Sequence, residues 1–289
     1  MGELIAWGTR VIQWVQMFSS PALDAVFKAL TFLGDEQFYL LLVPLLYWCV
    51  DKYLAMHLAF VYLGSAYVST TLKTAFAVPR PSPSQVRVVT PIDSYSFPSG
   101  HAQTASAGWV YLAIRVRKAW FWLVAVLLVF GVSLSRVYLG VHYPQDVIIG
   151  TLLGLIIALG YHALARRLGT RAAGLPLWTK VVVACAVPLL LLLLHVEGDT
   201  VASMATLLGL GVGVVLEREW VRFRTAGSVF QRGLRLALGL VVMLTIYLGL
   251  KLVFPAGPVF RGVRYALVGL WASLGAPWLF VRLRVAQRD

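Results

Sequence analysis

The sequence predicts an all-α fold, a polytopic transmembrane helical bundle of about nine spans. Its composition is the first reason, because 60% of the 289 residues are hydrophobic, only 13% are charged and the mean hydropathy is +0.80. These values differ strongly from those of an ordinary water-soluble domain. The second reason is that the apolar segments are long enough to cross a bilayer as helices, which satisfy their own backbone polar groups. The third is that most basic residues fall in short clusters between these segments, as in cytoplasmic loops.

Residues 1–33 are predicted to form interfacial or re-entrant helices ahead of the main bundle. Apolar residues recur at roughly helical spacing between Leu4 and Phe18, with Arg10 among the residues on the other face. This pattern is typical of a helix lying in the membrane interface, and packing against the spans is an equally good interpretation. Residues 21–33 predict a broken or re-entrant helix, because the polar residues at 34–36 would be costly at mid-membrane depth.

Apolar length predicts the spans that follow, and a hydrophilic break at 169–176 divides them into a group of five and a group of four. We therefore predict one domain at 34–168 and a C-terminal transmembrane extension at 169–289. Glycines at 150 and 154 in the first group, and at 209, 211 and 213 in the second, predict close helix contacts. The predicted spans are 37–50, 53–76, 101–114, 119–139, 146–165, 179–195, 200–216, 234–254 and 262–281.

The distribution of basic residues predicts the orientation of the chain in the membrane. If the first span runs from outside to inside, most of the 25 lysines and arginines lie on the inner side, in the clusters at 115–118, 166–171, 218–235 and 282–288. Cytoplasmic loops carry such an excess. We therefore expect a multi-pass protein of the plasma (inner) membrane with a cytoplasmic C-terminus.

Two other classes of function are disfavoured by composition. The formal charge of +13 could indicate nucleic-acid binding, but the basic residues are divided among short loops instead of forming one face. Cys49 and Cys185 each lie inside an apolar run, where cysteine is typically a small packing residue. We therefore expect neither a nucleic-acid partner nor a disulfide, redox or cysteine–metal site.

Polar residues of the first group of spans occur in three ordered blocks near the predicted outer membrane surface. Hydrocarbon tolerates such residues mainly where they face a cavity, a partner or a substrate, so the blocks predict a functional site. The blocks are Lys73 with Arg80-Pro81, then Pro98-Ser99-Gly100-His101, then Ser135-Arg136 followed by His142 and Asp146.

The residue types in these blocks are those that phosphoryl transfer requires. Charge spreads over the oxygens of a phosphoryl group in transfer, so fixed positive charges and hydrogen-bond donors must point at them. Arg80 and Arg136 can each offer a planar fork to two oxygens, and Lys73 offers a compact charge. Ser99 and the Gly100 amide lie at a predicted helix start, where the free N–H groups favour an anion. The blocks therefore predict a phosphate site.

Two histidines in the blocks predict a division of labour. One can attack phosphorus as a neutral imidazole while the other gives a proton to the departing alcohol. Asp146 follows His142 by four residues, which can bring both side chains to one side of a helical turn and orient the ring. Pro144 favours the first helical position and would place His142 before the helix, so spacing alone leaves this pairing open.

In type, order and spacing, the blocks resemble the signature of the type 2 phosphatidic acid phosphatase superfamily of lipid phosphate phosphatases, K-x6-R-P, P-S-G-H and S-R-x5-H-x3-D. All eleven positions match, and the resemblance covers roughly residues 36–168. It implies a metal-independent phosphatase without a cofactor, in which His142 is the nucleophile, Asp146 orients it and His101 is the acid for the leaving group. The residues that it implies for binding the phosphoryl oxygens are Lys73, Arg80, Ser99, Gly100 and Arg136.

The resemblance implies a reaction class and leaves the lipid open. We expect hydrolysis of a lipid phosphate monoester or diphosphate at the extracytoplasmic face, with phosphatidate-type, sphingoid-phosphate-type and undecaprenyl diphosphate substrates as candidates. Residues 34–39 are similar to a segment of the sphingosine-1-phosphate phosphatase branch, whereas the last four spans have no counterpart in the signature. A lipid transporter or scramblase that recognises the same head group is the alternative. Oligomeric state stays open.

Overall fold

The computed structural model describes residues 2–288, and this part of the chain is helical throughout except for turns, loops and one isolated antiparallel bridge between Phe223 and Arg288. The all-α prediction is confirmed. Two π-helical turns, at Glu217–Val221 and Trp271–Gly275, adjoin the α-helices. The α-helices are α1 (Gly2–Gln16), α2 (Pro21–Phe32), α3 (Glu36–Cys49), α4 (Lys52–Phe76), α5 (Gly100–Val116), α6 (Ala119–Tyr138), α7 (Pro144–Ala173), α8 (Leu177–Leu194), α9 (Gly198–Leu216), α10 (Val229–Val253), α11 (Pro258–Leu270) and α12 (Ala276–Arg282).

Each of the nine predicted apolar segments is helical, but the count of nine spans is not confirmed. Among the described residues, five helices are both long and apolar enough to cross a membrane: α6, α7 as far as Gly169, α8, α9 extended to Val221, and α10. The pair α2 and α3 would count as a sixth, as a broken span or a re-entrant loop. α3, α5 and α11 are individually shorter than the roughly 20 residues that hydrocarbon requires.

By packing, the chain forms two compact units. The first contains the residues up to Tyr39 together with Val68–Ala163, and the second contains Leu40–Tyr67 together with the residues from Leu164 onward. α5 and α2 both pack against α6 in the first unit. Every residue predicted for the phosphate site belongs to this unit.

α1 contributes to the core of the first unit through one face. Ile12 is fully buried beside Val86 and Tyr143, among other apolar residues. Trp14 and Phe18 remain exposed on the same helix. The core-packing interpretation therefore holds for one face of α1, and the exposed apolar residues leave its position at a membrane interface as a prediction.

Glycines let α7 approach the start of α5 closely. A Cβ atom at Gly150 would lie 2.6 Å from the carbonyl oxygen of Ser99, and one at Gly154 would lie 2.2 Å from that of Gln103. Both distances are shorter than any van der Waals contact, so only glycine fits without displacement of the backbone. The prediction of close contact at these two glycines is confirmed. The contact fixes the position of the first turn of α5, which Ser99 precedes.

We expect Gly150→Ala to destabilise the protein, because the added methyl group meets backbone that cannot move independently. Overpacking of this kind typically costs about 1–3 kcal/mol. Thermal unfolding in detergent measures the effect. Gly160→Ala on the same helix is the matched control, since a Cβ atom there would meet nothing within 4 Å. Equal melting temperatures for the two variants would contradict the contact.

The second unit contains buried charges that are paired within the protein. Lys52 Nζ lies 3.0 Å from Glu217 Oε1 and donates to the carbonyl oxygen of Phe223 at 2.7 Å. The buried Arg235 donates to four backbone carbonyls, those of Trp48, Thr225, Ala226 and Val285. Buried ions are tolerated when their hydrogen bonds are satisfied in this way. These charges therefore have a structural explanation that requires no ligand.

Close helix contacts in the second unit also follow the predicted glycines. α9 packs against α11 and α8, and a Cβ atom at Gly209 would lie 1.9 Å from the carbonyl oxygen of Ala266.

Cys49 and Cys185 are free thiols, and Cys49 is buried. Cys49 is therefore a packed residue.

Candidate active site

The three sequence blocks meet because each lies at or beside a helix end in the first unit. Lys73 is in the last turn of α4, and Arg80 is in the loop after it. Ser99 caps α5, whose first residues are Gly100 and His101. The third block brings Arg136 in the last turn of α6, His142 in the turn before α7 and Asp146 in the first turn of α7. The expectation that Pro144 starts the helix after His142 is confirmed.

The His142 ring is 1% exposed and lies against Arg80. Arg80 Nη1 is 3.1 Å from His142 Nε2 and also donates to the carbonyl oxygen of Val141 at 2.6 Å. Two further bonds, to Ser94 O at 2.6 Å and to Ser94 Oγ at 2.9 Å, hold the guanidinium. Because arginine only donates, Nε2 is the acceptor and Nδ1 carries the hydrogen. The lone pair of Nε2 therefore points toward a positive charge.

Ser96 connects the other side of the ring to Asp146. The distance from His142 Nδ1 to Asp146 Oδ2 is 3.6 Å, longer than an N–H···O hydrogen bond. Ser96 Oγ lies 3.4 Å from Nδ1 and donates to Asp146 Oδ2 at 2.5 Å. The Tyr143 amide donates to the same carboxylate oxygen at 3.0 Å. The pairing that spacing left open is thus a contact shared with Ser96, which sequence reasoning missed because nothing distinguishes it from other serines of its loop.

Burial and charge both keep the His142 imidazole neutral. Burial is the largest influence that lowers the pKa of His142 well below 6.5, and the charges of Arg80, Lys73 and Arg136 lower it further. Burial also lowers the pKa of Arg80, to about 10, so this guanidinium stays charged at neutral pH. A neutral imidazole beside cations is able to act as a nucleophile toward an anion.

Donors without protein partners mark the place for an oxyanion. Arg136 is 3% exposed; its Nη1 donates to Thr31 Oγ1, while Nε and Nη2 are buried without a hydrogen-bond partner among the described residues. Ser99 Oγ is likewise buried and unpaired there. Lys73 Nζ donates to the carbonyl oxygens of Tyr95 and Ser96, at 2.7 and 3.3 Å. Buried donors without acceptors are costly, and an oxyanion would satisfy them.

His101 has a carboxylate partner that sequence reasoning did not assign to the site. His101 Nε2 lies 2.5 Å from Asp35 Oδ1. Asp35 stands between α2 and α3, among the polar residues 34–36 that predict a break between two helices. The available signal was the presence of a carboxylate within an apolar region, but only the fold places it beside His101.

The donor set of the site suits an anion. Lysine and two arginines accompany the two histidines, and both carboxylates are engaged by protein groups. Among residues 2–288, no three His, Cys, Asp or Glu side chains come together in a way that could hold a metal ion. Apolar helices around a buried cluster of cations and histidines define a helical membrane protein with a candidate oxyanion site.

Comparison with known families is consistent with this class. Residues 54–169 match the PAP2 superfamily, and residues 201–288 match the "PAP2 superfamily phosphatase, transmembrane extension". The chain belongs to the PAP2 superfamily, so the resemblance to type 2 phosphatidic acid phosphatases is confirmed. The second match covers most of the spans that the signature did not explain.

Individual relatives match parts of the chain. A dihydrosphingosine 1-phosphate phosphatase of Schizosaccharomyces pombe is 30% identical over 166 residues, which are 52% of this chain and 40% of the relative. An undecaprenyl-diphosphatase of Sulfolobus acidocaldarius is 52% identical over 60 residues, which are 21% of this chain and 29% of the relative. The chain thus spans less than half the length of these curated relatives.

A solved structure shares the fold. The crystal structure of a transmembrane PAP2 type phosphatidylglycerolphosphate phosphatase from Bacillus subtilis superimposes with a TM-score of 0.51 at 22% sequence identity. The superposition covers 58% of this chain and 88% of the other. At this identity the similarity concerns the arrangement of helices.

Proposed function

We propose that this protein is a membrane phosphatase that hydrolyses a lipid phosphate monoester or diphosphate through a phosphohistidine intermediate. The observation that carries the proposal is the buried, neutral His142, whose Nε2 lies 3.1 Å from Arg80 within a site containing unpaired donors of Arg136 and Ser99. A nucleophile, fixed cations and a second histidine are the groups that phosphoryl transfer to an imidazole requires.

The proposed reaction has two steps. In the first, the lone pair of His142 Nε2 leaves its hydrogen bond with Arg80 Nη1 and forms a bond to phosphorus, the P–O bond to the lipid breaks, and His101 gives a proton to the departing oxygen. In the second, water attacks phosphorus, its proton passes to His101, the N–P bond breaks and inorganic phosphate leaves. Lys73, Arg80 and Arg136 hold the phosphoryl oxygens throughout, with Ser99 and the Gly100 amide as further donors. Each step uses only groups of the protein and water, so we propose activity without a metal or cofactor.

For the organisation in the membrane, we propose that residues 34–168 carry catalysis, that 169–289 form a membrane extension, and that the site faces the extracytoplasmic side of the plasma (inner) membrane. The support is that most basic residues cluster at the opposite ends of the predicted spans, as is typical of cytoplasmic loops. Accessibility of single cysteines to an impermeant maleimide tests this topology. Labelling from outside at residue 84 in the Arg80 loop, and from inside only at residue 117, is expected.

The lipid class is proposed from the relatives. Their names specify a sphingoid phosphate, undecaprenyl diphosphate and phosphatidylglycerol phosphate. A panel of these lipids plus phosphatidate, presented in detergent to the purified protein, tests the proposal by release of inorganic phosphate. Release from at least one lipid is expected, and release from none by folded protein would refute the proposed function.

The transporter alternative has no specific support in the second unit. Lys52, Glu217 and Arg235 are bound by protein groups there, so none of these three buried charges is left to receive a lipid head group. A liposome assay separates the two functions. A transporter would still move labelled lipid after His142→Ala, whereas the proposed phosphatase moves none before or after that change.

Ser96→Ala is expected to lower the rate of phosphate release by about 10–100-fold, because hydrogen bonds to charged groups contribute roughly 1.5–3 kcal/mol. The change removes the hydroxyl that joins the His142 ring to Asp146 and leaves the rest of the site in place. Initial rates at saturating lipid measure the effect. Ser84→Ala is the control, since Ser84 is exposed and, among the described residues, hydrogen-bonds with Ser82. Wild-type rates for Ser96→Ala would contradict a role for this bridge.

A further inference from the structure

The bend between α2 and α3 contributes directly to the site, although it precedes the residues matched to the PAP2 superfamily, which begin at 54. Thr31 Oγ1 accepts from Arg136 Nη1, and Asp35 Oδ1 lies 2.5 Å from His101 Nε2. Gly34 is packed so closely that a Cβ atom there would lie 3.2–3.3 Å from the His101 side chain. One short segment therefore positions both a phosphate-binding arginine and the second histidine.

The contact between Asp35 and His101 determines which ring nitrogen is available. An ionised carboxylate only accepts hydrogen bonds, so Nε2 donates to Asp35. Nδ1 is then the nitrogen that remains for the oxygen of the leaving group. Both side chains are partly exposed, 32% for Asp35 and 25% for His101, so this pair lies at the accessible edge of the site.

The charges around His101 explain why a carboxylate is useful there. Among the described residues, the charged or titratable groups that act on it include Asp35 from the bend, Lys73 from α4, Arg136 from α6 and His142 from the turn before α7. Lys73 and Arg136 are cations required by the phosphate, and cations disfavour a second positive charge nearby. Asp35 is the one carboxylate in this set, and an adjacent carboxylate favours the protonated imidazole that a general acid must be.

We propose that Asp35 is a positioning residue for general-acid catalysis, which orients His101 through Nε2 and sustains its protonated form. This inference rests on the proposed phosphatase function. In the step concerned, the proton leaves His101 Nδ1 for the lipid oxygen as the P–O bond breaks, and Asp35 keeps its hydrogen bond to Nε2–H. Asp35 itself does not contact the phosphoryl group.

The test compares Asp35→Asn with wild type on two phosphate monoesters that differ in their leaving group. The alkoxide of an alkyl phosphate is a poor leaving group and needs a proton from the acid. The p-nitrophenolate of p-nitrophenyl phosphate is a stable leaving group and needs the acid little. We expect Asp35→Asn to lower kcat/KM for the alkyl phosphate by about 10–100-fold, part of the roughly 10²–10⁴-fold of a general acid, and to affect p-nitrophenyl phosphate far less. For Asp35→Asn acting on the alkyl phosphate, the alkaline limb of the pH profile of kcat/KM should move to lower pH, because the His101 imidazolium has lost its carboxylate partner.

Controls separate this role from a structural one. Glu36→Gln removes the adjacent exposed carboxylate and should leave both substrates at wild-type rates. In the His101→Ala background, Asp35→Asn should cause no further loss, since it acts through that ring. Asp35→Glu keeps the charge, so its alkaline limb should stay at the wild-type pH even if its rate falls. This variant provides the test if Asp35→Asn does not fold.

Two results would overturn the inference: equal loss for both substrates, or an unmoved alkaline limb in Asp35→Asn. A shifted limb in a folded Asp35→Glu variant would do the same. These outcomes differ from failure of the proposed function, in which the wild-type protein itself releases no phosphate from either ester or from the lipid panel.

Discussion

His142→Ala is expected to abolish phosphate release, with a loss greater than the roughly 10²–10⁴-fold that a proton-transferring group typically contributes. The reason is that the proposed intermediate is a bond between phosphorus and His142 Nε2, which alanine cannot form, while the two carboxylates of the site are engaged by protein groups. The carboxylate of Asp146 is engaged by Ser96 and the Tyr143 amide, and Asp35 is bound to His101. Initial rates of phosphate release from the preferred lipid measure the loss.

A second readout identifies the intermediate. Wild-type protein quenched during turnover of a ³²P-labelled substrate should contain acid-labile, base-stable phosphate on the polypeptide, and His142→Ala should contain none. His195→Ala is the matched control, because His195 follows α8 in the second unit and lies outside the proposed site. Retention of more than a tenth of the wild-type rate by His142→Ala would exclude this nucleophile.

The pH dependence of the wild-type enzyme follows from the same residue. Because burial and the neighbouring cations lower the pKa of His142 well below 6.5, its nucleophilic form persists as the pH falls through 6.5. The acid limb that belongs to His142 should therefore lie below that pH. If the pH profile of kcat/KM has an acid limb at or above pH 6.5 that is traced to His142, the lowered pKa of this residue is contradicted.

His101→Ala is expected to lower phosphate release from an alkyl phosphate lipid by about 10²–10⁴-fold, as is typical for removal of a positioned acid. With p-nitrophenyl phosphate the first step should proceed, because this leaving group departs without a proton. The second step still lacks its base, so phosphohistidine should accumulate. Rapid-quench measurement of a nitrophenolate burst detects this, and the absence of any difference between the two substrates would argue against His101 as the acid.

Much of the site could be predicted because its residues are unusual for their surroundings. Lys73, Arg136 and His142 stand out in an apolar chain, and hydrocarbon tolerates such side chains only for a reason. Their spacing matches a family signature, which suggested separate roles for the two histidines. By contrast, Thr31 and Ser96 are ordinary residues in composition and spacing, and no sequence pattern marks them.

The number of spans was harder to predict than the positions of the helices. Apolar length located all nine predicted helical segments, but length and apolar character support spanning for five, or six with the bent pair. The organisation by packing also depends on contacts that apolar length does not report: α4 contributes to both compact units. The division at residue 169 stays a prediction, because it rests on motif content and a hydrophilic break.

By itself, the sequence determined that this is a helical membrane protein and predicted a phosphate-type site, because hydropathy and the cost of polar groups in hydrocarbon act on each segment separately. Only the tertiary structure decided which atoms meet. It inserted Ser96 between His142 and Asp146, and it brought Asp35 to His101 across 66 positions of the chain. Such contacts depend on how helices pack, as at the glycines of α7, where a single methyl group would separate the elements that hold the site.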